Sequence, residues 1–138
     1  MATRALISIR QSTDDVKYIY IHHGHPSDIG DSLLSDYNGE AEAHALINGG
    51  DISSFGEGGA VDYYKDHPDE DWGDVKPRVG SCIENTIAAA GENCIDFVFY
   101  FIDGGWQVAC AWGSHSAFDL MPLKDALEMI AADDEGRW

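Results

Sequence analysis

Residues 95–102 read Ile-Asp-Phe-Val-Phe-Tyr-Phe-Ile, and a strand drawn through them has no polar face from Phe97 onward. Successive side chains of a strand alternate. Phe97, Phe99 and Phe101 therefore share one side, and Val98, Tyr100 and Ile102 the other. A strand that is apolar on both sides belongs inside a sheet covered on both faces. Asp103-Gly104 follows at once and is a two-residue hairpin signal. Residues 106–112 then return as the partner strand, with Trp106, Val108, Cys110 and Trp112 on one face.

A second hairpin is expected at the start of the chain. Residues 5–10 and 16–22 are rich in β-branched and aromatic types, and a polar gap at 11–15 separates them. In the second of these strands Ile19 and Ile21 share one face, while Tyr18, Tyr20 and His22 share the other. The stretch His22-His23-Gly24-His25-Pro26 reads as a loop. Ser27 or Asp28 is placed to cap a helix over 28–37, in which Ile29, Leu33, Leu34 and Tyr37 fall at helical spacing. Glu40 to Asn48 reads as a further helix stopped by Gly49-Gly50. Five glycines at positions 49–60 suggest an irregular loop, and Val61 to Tyr64 a short strand. Residues 67–77 read as an exposed acidic loop around Trp72. Ser81-Cys82-Ile83-Glu84 has capping-box form, opening a helix that Gly91 ends. Pro122 suits the first turn of a last helix striped by Leu123, Ala126, Leu127 and Ile130. The expectation is one α+β domain over residues 1–138, a mainly antiparallel sheet built from two hairpins and covered by about four helices.

Charge narrows the partners. Eight Lys and Arg face 25 Asp and Glu in 138 residues, a formal net charge of −17. No Lys or Arg occurs between Lys17 and Lys65, or between Arg78 and Lys124. A field of that sign repels nucleic acid and anionic membrane and attracts basic protein surfaces. Two acidic stretches stand out: Asp28, Asp31, Asp36, Glu40 and Glu42, and then Asp62, Asp66, Asp69, Glu70, Asp71 and Asp74. Carboxylates spaced along a surface can stand in for a row of phosphates in a cleft built of Arg and Lys. Trp72, within the second stretch, is a candidate aromatic anchor. Solvation alone would account for the same acids, and a halophilic source would enrich them too.

Catalytic patterns are sparse. Cys82, Cys94 and Cys110 are spaced unlike any zinc or thioredoxin site, and their odd number points to reduced thiols. Cys82 could act as a nucleophile at a helix start with His115 as base and Asp119 orienting it. His22, His23 and His25 could bind a metal, but strand alternation sends the first two to opposite faces. Gly56-Glu57-Gly58-Gly59 carries a glutamate where a phosphate loop needs none. Neither a metal nor another cofactor is expected. A Cys/His or metal-dependent hydrolase is the alternative from the enzyme class, and a self-associating module, such as a homodimer through the 95–112 strands, is a third. No run of ~18 apolar residues suggests a membrane span, the start of the chain shows no secretory signal, and the cytoplasm of a bacterial host is the expected compartment.

The chain resembles a family of small uncharacterised phage and prophage proteins. The shared residues are Met1-Ala2-Thr3-Arg4, Ile7 and Ile9, Lys17-Tyr18-Ile19-Tyr20, His22, Pro26-Ser27, Gly30, Leu33-Leu34 and Tyr37. They continue with Ala45-Leu46-Ile47, Gly50-Asp51-Ile52-Ser53-Ser54, Glu70-Asp71-Trp72, Lys76-Pro77 and Asp103-Gly104-Gly105-Trp106. The family usually has His-Trp-Asp-Gly-Tyr-Pro where this chain has His22-His23-Gly24-His25-Pro26, so the loop here is one residue shorter and lacks its tryptophan and aspartate. The resemblance implies a mobile-element origin. By analogy with small acidic phage proteins it implies a non-enzymatic, anti-CRISPR-like inhibitor that meets a host defence protein with a basic cleft, without binding nucleic acid directly.

Overall fold

The computed structural model describes residues 3–11, 13–56, 60–67, 73–111 and 118–133. In chain order the elements are β1 (Ala5–Arg10), β2 (Val16–Ile21), α1 (Pro26–Asp36), α2 (Glu40–Asn48), β3 (Ile52–Phe55), β4 (Val61–Tyr63), a 3-10 turn (Tyr64–Asp66), β5 (Arg78–Gly80), α3 (Ile83–Glu92), β6 (Phe97–Ile102), β7 (Gly105–Cys110), β8 (Phe118–Pro122) and α4 (Leu123–Ala131). The architecture is α+β. One mixed sheet runs β4-β3-β2-β1-β6-β7-β8, and β5 also pairs with β2.

The doubly apolar strand takes the central place its composition requires. β6 lies between β1 and β7, and Phe97 to Phe101 are all at most 4% exposed. Its pairing with β1 is parallel, Ala5 opposite Phe97 and Ile9 opposite Phe101. Both hairpins expected from sequence form, β1 with β2 and β6 with β7. They do not by themselves make the sheet. β3 joins β2 in parallel at Ile21 and Ile52, β3 and β4 form an antiparallel pair, and β8 extends β7. Most pairings are antiparallel, while the two parallel ones give the sheet its mixed character.

Alternation divides the core in two. Ala5, Ile7, Ile9, Ile19, Ile21, Phe97, Phe99 and Phe101 face α1, α2 and α4 and bury Ile29, Leu33, Leu46, Ile47, Leu123 and Ala126 with them. Leu6, Val16, Val98 and Tyr100 face α3 and pack on Ile83 and Ala90. Each fully buried Leu, Ile or Phe contributes about 1.5–3 kcal/mol, so the three-helix side holds most of the hydrophobic stabilisation. Ser8 is fully buried in β1 because its hydroxyl donates to the Phe99 carbonyl at 2.5 Å.

Several local expectations need correction. The glycine-rich stretch contains strand β3 at Ile52–Phe55, because Ile52 is drawn fully into the core. Helix α1 starts at Pro26 with His25 as its cap, not Ser27 or Asp28: the His25 Nδ1 accepts from the Ser27 amide at 3.1 Å. Helix α3 is capped by Cys82 rather than Ser81 and runs through Gly91 to Glu92. Pro122 sits at the cap of α4 and also ends β8. Strands β5 and β8 carry too few alternating apolar residues to announce themselves.

Candidate functional site: an acidic helical face and a phenol–imidazole cleft

The first acidic stretch lies on α1 and α2. Both helices turn their apolar residues to the sheet, so their polar residues must point outward. Asp28, Asp31, Asp36, Glu40 and Glu42 are all exposed. Glu40 lies 3.8 Å from the His44 imidazole one turn on, and the other four are in no ion pair among the described residues. Neither helix carries a Lys or Arg. Residues one turn apart have Cβ atoms about 5–6 Å apart, so Asp28 and Asp31 stand side by side.

The second acidic stretch is described only in part. Asp62 alternates with Val61 and Tyr63, whose side chains pack on the three-helix core, so its carboxylate emerges on the opposite face of the sheet. Asp66 ends the 3-10 turn and is exposed, as is Asp74. Asp69, Glu70, Asp71 and Trp72 lie outside the described residues, and so does His115. The Cys82 sulfur accepts from the Asn85 amide at 3.4 Å as a helix cap, and Asp119 is exposed on β8. Among the described residues no group of three His, Cys, Asp or Glu side chains could hold a metal ion, and no helix is long and apolar enough to cross a membrane.

Sequence reading missed a cleft on the α3 side. Helix α3 packs over β6 and β5. Beside it, where β2 meets β3 and β4, the face opens into a cavity of about 530 Å³ lined by Tyr20, His22, Ser53, Asp62, Tyr64 and His67, together with Asp51 and Val75. The Tyr20 hydroxyl and His22 Nδ1 are 2.8 Å apart, and His67 Nε2 lies 2.6 Å from the Asp62 carboxylate. Asp51 is held from three directions: the Tyr20 amide donates to it at 2.8 Å, and two Arg78 nitrogens donate at 3.0 Å each. Among the described lining residues none is Lys or Arg.

The electrostatics follow from this arrangement. Burial pushes the Tyr20 phenol above its ordinary range, helped by Tyr64 and opposed by Arg4. Burial also raises Tyr64, against a hydrogen bond from Ser53, with Asp51 and Asp62 adding to the rise. His22 is pushed down by burial first, then by His23 and Arg4. At neutral pH the cleft thus presents two neutral phenols and a neutral His22 imidazole. Alternation does place Tyr20 and His22, the residue just after β2, on one side of the chain, which is the trace the cleft leaves in the sequence. Ser53, Tyr64 and His67 reach it through the unannounced β3 and the turn after β4.

Comparison of the chain with known families, with curated proteins and with solved structures gives no match.

Proposed function

We propose that the chain is a phage-derived, anti-CRISPR-like inhibitor of a host defence complex, and that it acts by occupying a basic, nucleic-acid-facing surface of its target. The observation that supports this reading is the outward face of α1 and α2. There Asp28, Asp31, Asp36, Glu40 and Glu42 are exposed on helices that carry no Lys or Arg. Rigid helices packed on a sheet hold those carboxylates at fixed spacing, which lowers the ordering cost of association. Opposite charge across the interface steers encounter and fixes orientation.

Affinity capture from a bacterial lysate at low salt, with elution by rising salt, tests the reading together with an inhibition assay against defence systems. The wild-type chain is expected to retain a basic nucleic-acid-binding protein and release it as salt rises. A variant with Asp28, Asp31, Glu40 and Glu42 changed to Lys is expected to retain none. Unchanged inhibition of every susceptible system by that variant would overturn the acidic-surface mechanism.

A further inference from the structure

The described helices divide three to one between the two faces of the sheet, so α3 has one side to cover alone. It packs over β5 and β6. Over β1 and β2 a slot of about 360 Å³ is left beside it. Leu6 of β1 and the rings of Tyr18 and Tyr20 of β2 line the sheet side. Thr86, Ala89 and Asn93 follow one another at helical spacing along α3 and line the other side, joined by Ile95. Small side chains at positions 86 and 89 keep the slot open.

The charges of the slot are already matched. Asp51 and Arg78 are the charged residues among its described lining, and two hydrogen bonds of 3.0 Å pair them. A further ion would meet no free counter-charge there, and burying an unpaired charge is costly. Hydrogen-bonding capacity remains. Arg78 uses three of its five N–H groups, on the two Asp51 oxygens and the Asp74 carbonyl. Asn93 donates its amide nitrogen to the Ala89 carbonyl at 2.7 Å, which leaves its side-chain oxygen as an acceptor. The Tyr20 hydroxyl lies 2.8 Å from His22 Nδ1, a contact that fixes its ring.

We infer that the slot between α3 and β2 binds a neutral, planar aromatic small molecule with an amide-like edge, one that offers both a donor and an acceptor. The ring lies against Tyr18 in the offset or edge-to-face manner that aromatic pairs prefer. Its polar edge accepts from Arg78 and donates to Asn93. The volume falls at the low end of the range of about 300–1,000 Å³ that holds small ligands, which suits one or two rings. Helices α1 and α2 cover the opposite face of the sheet, so filling the slot leaves the acidic surface, and inhibition through it, unchanged.

The test titrates the whole chain with benzamide at neutral pH and follows the Tyr ring and the Leu and Ile methyl resonances by NMR. Cyclohexanecarboxamide keeps the amide and replaces the flat ring with a puckered one, while benzoate keeps the ring and adds a charge. Saturable shifts centred on Leu6, Tyr18, Tyr20 and Ile95 are expected with benzamide. Cyclohexanecarboxamide should bind about three- to tenfold more weakly, and benzoate more weakly still. Ala89→Leu, at an exposed position of α3 where leucine is a good helix former, should fill the slot and abolish the shifts. Ala88→Leu, also exposed but outside the slot, should bind like the wild type. Tyr18→Leu keeps the site apolar but removes the ring, and should weaken benzamide about three- to tenfold. No saturable shift with benzamide, binding of either comparison compound as tight as benzamide's, or equal losses in the two alanine variants would each sink the inference.

Discussion

Arg78 grips both carboxylate oxygens of Asp51 at 3.0 Å, and this pair ties the short strand β5 to the start of β3. The Asp51 side chain is 7% exposed and that of Arg78 41%. Burying a carboxylate is costly unless it is paired and hydrogen-bonded. The same contact, ahead of other influences, holds the guanidinium further above its ordinary pKa.

Arg78→Ala should accordingly leave Asp51 with the Tyr20 amide as its one remaining donor. Breaking a fully buried pair costs about 3–5 kcal/mol. Water reaches Arg78, so about 2 kcal/mol is expected here. Asp51→Asn keeps an acceptor for the Tyr20 amide and should cost less than Arg78→Ala. Urea unfolding midpoints measure both, and a loss in Arg78→Ala no larger than in Asp51→Asn would contradict the burial argument.

Gly24 closes the loop between β2 and α1 at a point where no side chain fits. A Cβ there would lie 2.7 Å from both the Ala5 Cβ and the Ile21 Cγ2, and its amide donates to the Thr3 carbonyl at 2.7 Å. Gly24→Ala should destabilise the chain by about 1–3 kcal/mol through overpacking. Gly105→Ala meets nothing within 4 Å and should be nearly neutral. Thermal unfolding of the two variants side by side distinguishes steric cost from the general effect of replacing glycine.

The Tyr63 hydroxyl donates to the Leu46 carbonyl at 2.9 Å, which fastens β4 to α2. Burial, with smaller contributions from Tyr37 and Asp66, pushes its phenol up to about 12 from 10.0. The folded chain therefore holds this proton more tightly than the unfolded chain. That stabilisation is fully present below pH 10 and is lost as pH rises through about 12. Absorbance at 295 nm should show one late-ionising tyrosine step that Tyr63→Phe removes. The variant should also lose about 1 kcal/mol at neutral pH.

What could be read from the sequence was what local pattern encodes. The hairpins at β1–β2 and β6–β7, helix α2 and the positive φ angles of Asp103 (53°) and Gly104 (80°) all follow from alternation, helical spacing and turn residues. Long-range pairing left no such mark. Nothing in residues 5–10 or 97–102 announces that β1 and β6 run parallel, since the apolar residues of both strands would suit either direction. Ser53 falls in a segment that local propensity assigns to loop, and Tyr64, read as the end of a strand, opens the 3-10 turn instead. The cleft exists only because Ile21 and Ile52 pair. The acidic residues of α1 and α2 were legible as exposed, because the apolar stripe of each helix fixes which side faces the sheet.

That outward face has an energetic consequence of its own. Asp36 is the last residue of α1, whose final turn contains no basic side chain. A carboxylate there opposes the helix dipole, which favours cations at the C-terminus by about 0.3–1 kcal/mol. It also adds to the self-repulsion of a chain with net charge −17. Asp36→Lys relieves both and should stabilise the fold by about 0.5–1 kcal/mol at low salt. The gain should shrink as salt rises, because screening shortens the reach of each exposed charge to about 10 Å at 0.1 M. The wild type, for the same reason, should unfold at a higher temperature in about 0.5 M than in about 0.02 M sodium chloride. If the acidic face serves a basic target, the more stable Asp36→Lys variant should be the weaker inhibitor, as when residues kept for function are poor for stability. Measuring melting temperature and inhibition on one preparation decides it: a variant both more stable and equally inhibitory would mean that Asp36 lies outside the interface.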